Sequence, residues 1–89
     1  MKEPYLEVTY RKGKVLAAYF YLPRSSGAKS VRTRRVDPGL VIDLGADGKA
    51  IGIEITAPGQ LRLETLNGVL REFGFDPVRN ADLAPLRAA

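Results

Sequence analysis

The chain has 89 residues with no cysteine and no histidine, and it carries a formal net charge of +4 at pH 7. That length supports one domain with a small core, and the missing residue types exclude disulfides, thiolate metal sites and histidine-based proton or metal chemistry. No apolar run approaches the roughly 18 residues of a membrane span, and Met1-Lys2-Glu3-Pro4 leads into an alternating strand instead of a signal-peptide apolar region; a cytoplasmic protein without a membrane partner is expected.

The charge is unevenly placed. Between Glu7 and Asp37 there is no acidic residue, while Arg11, Lys12, Lys14, Arg24, Lys29, Arg32, Arg34 and Arg35 all carry positive charge. The basic excess belongs to that one segment.

In chain order, Tyr5 to Tyr10 alternates Leu6, Val8 and Tyr10 against Tyr5, Glu7 and Thr9, which predicts a first strand, and Arg11-Lys12-Gly13-Lys14 predicts a tight turn. Val15 to Leu22 is apolar at successive positions, the pattern of a strand covered on both faces. Its second face therefore needs a cover, either the basic loop, the C-terminal tail or a second copy of the chain. Pro23 to Ala28 is turn-rich, and Lys29 to Val36 reads as a polar third strand suited to a sheet edge.

Two further alternating runs, Leu40-Ile42-Leu44 and Ile51-Ile53-Ile55, flank Asp47-Gly48 and follow the turn Val36-Asp37-Pro38-Gly39, so the stretch predicts a β-hairpin. A two-residue type I′ loop pairs Leu44 with Ile51, Ile42 with Ile53 and Leu40 with Ile55, which puts all six on one face. A three-residue loop ending in a glycine bulge pairs Leu44 with Ala50 and Asp43 with Ile51, which puts a carboxylate on the core side. Parity favours the type I′ loop. Val41, Asp43, Gly52, Glu54 and Thr56 then share the opposite face.

The period changes after the hairpin. Leu63, Leu66, Val69, Leu70 and Phe73 recur at three and four, predicting an amphipathic helix from about Pro58 to Phe73 that Gly74 closes. The tail beyond Asp76-Pro77 has no clear period. The expected fold is α+β, an antiparallel meander of four or five strands with one C-terminal amphipathic helix on one face. Residues 1–77 form the domain, and 78–89 an irregular tail.

The aromatic strand ending in Tyr19-Phe20-Tyr21-Leu22, the Val36-Asp37-Pro38-Gly39 turn, and Val41-Ile42-Asp43, Asp47-Gly48 and Gly52-Ile53-Glu54-Ile55 resemble the small bacterial domain of unknown function numbered 2283, over roughly residues 5–57. The resemblance implies a compact, mainly antiparallel β fold and implies no activity, cofactor or catalytic residue. The chain departs from that family at two places. Arg11-Lys12-Gly13-Lys14 stands where the family's first turn usually carries acidic residues, and Arg34-Arg35 stands where an acidic pair is common.

Three constellations bear on function. The basic segment 11–35, interleaved with Tyr10, Tyr19, Phe20 and Tyr21, has the composition of a nucleic-acid or polyanion surface, with Arg24, Lys29, Arg32, Arg34 and Arg35 as its binding residues. Asp43 and Glu54 fall diagonally on one face, close enough to share a proton or a cation, although two carboxylates with no third ligand make a weak metal site and solvent-face charges explain them more simply. Ser25-Ser26-Gly27 before Lys29 has the composition of an anion cradle without the spacing of a phosphate loop. No catalytic residue, metal site or cofactor is expected. The expected function is a non-enzymatic protein-interaction or self-associating module, its interface on Val15, Ala17, Tyr19 and Tyr21, with polyanion binding as the alternative.

Overall fold

The computed structural model describes residues 3–24, 27–37 and 39–87. Five antiparallel strands, β1 (Tyr5–Arg11), β2 (Lys14–Tyr21), β3 (Arg32–Asp37), β4 (Leu40–Leu44) and β5 (Ala50–Ile55), form one sheet in the order β1-β2-β5-β4-β3. The sheet is not a simple meander. β2 lies beside β5, with Phe20 opposite Ile53 and Ala18 opposite Ile55, because those apolar residues complete the isoleucine face of β5. The polar β3 is left at the far edge, where unpaired backbone groups meet water. At the β1–β2 turn, Lys12 (φ 53) and Gly13 (φ 77) both take positive φ.

The hairpin keeps its expected facing residues but reaches them differently. Ile42 lies opposite Ile53 and Leu40 opposite Ile55, as parity requires. The loop, however, has three residues. Gly45 N–H donates to Lys49 O at 2.9 Å and Gly48 N–H to Gly45 O at 3.0 Å, and only Gly48 (φ 81) among the loop residues takes positive φ. This is a type I turn closed by a glycine, not a type I′ turn, which needs positive φ at two successive positions. Leu44 accordingly faces Ala50, and the register then slips by one, so that Asp43 faces Gly52. Ile51 is the extra residue. Two one-residue deviations cancel, and the carboxylate stays off the core side.

The core lies on one face of the sheet. Ala18, Phe20, Leu22, Leu40, Ile42, Ile53 and Ile55 meet Leu61, Leu66, Val69, Leu70, Leu83 and Leu86 in a single cluster. The expected long helix is interrupted. Pro58–Gln60 is a 3₁₀ turn, Leu61 and Arg62 are extended, and α1 runs only from Leu63 to Glu72. At about 100° per residue, Leu61 in an unbroken helix would point roughly 160° away from the Leu63-Leu66-Leu70-Phe73 stripe; the break turns it inward, where it is buried. Gly74 (φ 80) closes α1, with Phe75 N–H donating to Leu70 O at 2.8 Å and Gly74 N–H to Arg71 O at 3.1 Å.

The tail is not irregular. Asn80–Leu83 forms a 3₁₀ turn continuing into a short helix, α2 (Ala84–Arg87), and Leu83 and Leu86 enter the core. Asn67 of α1 holds its start, donating from Nδ2 to Val78 O at 3.0 Å and accepting from Val78 N–H at 2.8 Å. Two leucines three residues apart are too few to show a period, which is why the sequence does not reveal this element. Pro38 of the proline-glycine turn and Ser25 and Ser26 of the cradle composition lie outside the described residues.

Candidate functional site: the tyrosine face of the sheet

The sheet's other face carries the side chains that the core does not use. Pairing puts Tyr5, Glu7 and Thr9 of β1, Ala17, Tyr19 and Tyr21 of β2, Gly52 and Glu54 of β5, Val41 and Asp43 of β4, and Thr33 and Arg35 of β3 on this side. The buried leucines and valine of α1, the 3₁₀ turn at residues 80–83 and α2 all join the cluster on the opposite face. The double-sided apolar pattern of β2 is therefore met on this side by tyrosines packing on one another.

Tyr5 stacks on Tyr21, ring centroids 4.4 Å apart and planes within 16°, and Tyr21 meets the ring of Tyr19 at 4.6 Å. Arg24 lies 5.5 Å over the Tyr21 ring while its Nη1 donates to Ile51 O at 3.2 Å. The Ile51 bulge supplies that acceptor. Tyr21 donates to Glu7 Oε1 at 3.3 Å.

Tyr19 occupies the middle of the face. Its ring lies across Gly52 so closely that a Cβ there would collide with it. This explains the glycine in a central strand, where it otherwise weakens pairing. The Tyr19 hydroxyl donates to Asp43 Oδ2 at 2.6 Å, a short bond of the charge-assisted kind. Asp43 is only 8% exposed, the one buried charged residue among the described residues. Burial, and next the hydrogen bond to Asp43, hold the Tyr19 hydroxyl well above its ordinary titration range. Glu54, diagonal to Asp43 as the sequence expects, is also raised, first by burial and then by the charge and hydrogen bonding of Asp43. The carboxylates are thus neighbours, and Asp43's strong partner is a tyrosine the sequence did not assign to it.

The expected interface residues divide. Ala17, Tyr19 and Tyr21 share the open face, but the register slips between Thr9 and Tyr10, and Val15 packs against the core. The bulge leaves Leu16 52% exposed. The five basic candidates also separate. Arg35 belongs to the tyrosine face by register, whereas Arg32 and Arg34 belong to the core side. Arg34 pairs with Glu72 at the end of α1 at 2.8 Å and lies 5.2 Å over the Phe73 ring. Lys29 and Arg24 line a groove at the β4–β5 turn.

Among the described residues, no group of three or more histidines, cysteines, aspartates or glutamates is placed to hold a metal, and no helix is long and apolar enough to cross a membrane. Residues 17–57 match the family described as "Protein of unknown function (DUF2283)". The chain resembles that family over β2 to β5, the span that holds Tyr19, Asp43, Gly52 and Glu54; β1 and the helical elements lie outside the match. No curated protein and no solved structure shows a significant match.

Proposed function

We propose that the protein is a non-enzymatic interaction module that associates with a second copy of itself through the tyrosine face of the sheet. The observation that carries this reading is the ordered aromatic set of Tyr5, Tyr19 and Tyr21 on a sheet face against which the helical elements do not place their buried side chains. Tyrosine is enriched at the centres of protein interfaces because it buries a large ring and keeps a polar tip. Here the rings already hold one another, so their ordering on association costs little. The polar atoms of Tyr19, Asp43 and Glu54 serve one another, an arrangement that keeps buried carboxylates satisfied when water leaves.

Binding of a polyanion through Arg24, Lys29, Arg32, Arg34 and Arg35 has less support, since the register distributes these residues over both faces and one edge. Sedimentation equilibrium tests the main reading. The wild-type chain is expected at twice its mass or more at micromolar to millimolar concentration. Tyr21→Lys, which removes the ring stacked on Tyr5 and a 3.3 Å hydrogen bond to Glu7 but no side chain of the core, is expected to shift it to monomer with the fold retained. Tyr19→Lys is expected to do the same with a lowered melting temperature, since it also removes the donor to Asp43. A wild-type monomer at millimolar concentration would refute the reading.

A further inference from the structure

Away from the tyrosine face, a groove of about 850 Å³ opens where the segment before β3 meets the β4–β5 turn and the C-terminal end of α1. We propose that this groove binds a small organic anion with a flat apolar body, such as an aromatic carboxylate or sulfonate. Its volume falls within the range of small-molecule sites, roughly 300–1,000 Å³. Val31, Ile51, Phe73 and Phe75 give it apolar walls, and Val31 remains 57% exposed although its backbone N–H is fixed to Leu44 O at 2.9 Å.

Charge selects an anion. The backbones of Lys29 and Lys49, twenty positions apart in sequence, come together at Gly45, and both residues line the groove. Lys49 O accepts the Gly45 N–H at 2.9 Å, and Lys29 O lies 3.8 Å from where a Cβ on Gly45 would stand. Arg24, Lys29 and Lys49 line the groove against Asp47 and Glu72; Glu72 is paired with Arg34, and Asp47 Oδ1 accepts the Lys49 N–H at 3.0 Å. Among the described residues neither Lys29 nor Lys49 enters an ion pair. Two lysines lining a groove with aromatic and aliphatic walls match one anionic group attached to one apolar ring system. A nucleic acid instead needs cations spaced along a phosphate track, whereas Arg34 is paired with Glu72 and Arg35 belongs to the sheet's opposite face.

The test is titration of the isotope-labelled chain with naphthalene-2-sulfonate, followed by amide chemical shifts, alongside the neutral 2-naphthalenemethanol. The sulfonate is expected to move the amides of Lys29, Val31, Lys49, Phe73 and Phe75 and to bind more tightly than the neutral compound. Lys29→Glu and Lys49→Glu should each weaken binding about fivefold or more, whereas Lys14→Glu, at the start of β2, should leave it unchanged. The spectrum of each variant shows directly whether the fold is retained. Equal binding of the neutral compound, shifts confined to another surface, or unchanged affinity in both groove variants would overturn the proposal.

Discussion

The two faces of this sheet solve the same problem by different means. On one, buried side chains from β2, β4 and β5 are sealed by α1 and the tail, with Ile42, Ile53, Ile55, Leu66 and Leu83 all fully buried. On the other, no helix among the described residues forms such a seal, and tyrosines lie down on their own sheet, over Gly52 and over each other. The first face gains its stability from area removed from water. The second depends on a few specific pairs, so its failures should be local and smaller.

The largest expected effect is on the sealed face. Ile53→Ala removes a side chain from the centre of the core, and urea unfolding should show a loss of about 2–5 kcal/mol, with Leu83→Ala in the same range if the tail belongs to the core. A loss below about 1 kcal/mol for Leu83→Ala would mean that the tail does not seal it.

Next comes the packing of Tyr19 on Gly52. Gly52→Val should cost about 1–3 kcal/mol by driving a side chain into the ring, and much less in a Tyr19→Ala background, because the ring is then gone. Equal costs in both backgrounds would show that strand glycine, not the tyrosine, sets the effect.

Tyr19→Phe isolates the hydroxyl. It leaves the buried Asp43 carboxylate without its 2.6 Å donor, for an expected loss of about 1–3 kcal/mol in the same unfolding measurement.

The smallest effect is tied to pH. Glu54 holds its proton more tightly in the folded chain than in the unfolded chain, through burial first and Asp43 second. For an acid so raised, stability falls as pH rises through its titration range, and the ionised group lowers stability at neutral pH. Glu54→Gln should therefore melt above wild type at neutral pH, with the gap closing in acid. A gap independent of pH would remove the carboxyl's environment as its cause.

The same contrast explains what could be read from the sequence. Period-two alternation fixed which residues of β4 and β5 face the core, and Ile42 duly meets Ile53. It could not distinguish a type I′ loop from a three-residue loop with a compensating bulge at Ile51, since both leave the same side chains inside. The amphipathic stripe located α1, but the stray Leu61 broke the expected helix, and the leucines of the tail were too sparse to show a period. On the tyrosine face the diagonal of Asp43 and Glu54 followed from register. The covering of Gly52 by Tyr19 did not, because β2 reads as apolar on both sides whatever lies beside it. The convergence of Lys29 and Lys49 on Gly45 was equally hidden, being a product of the β3–β4 pairing and the turn together.

The most direct measurement of the central claim is an isotope-filtered NOE experiment on an equal mixture of labelled and unlabelled chains. Intermolecular NOEs from the rings of Tyr5, Tyr19 and Tyr21 to Ala17 and neighbouring protons of the same face in the second copy are the predicted result. Intermolecular NOEs confined to α1, the tail or the groove, or none at millimolar concentration, would contradict it.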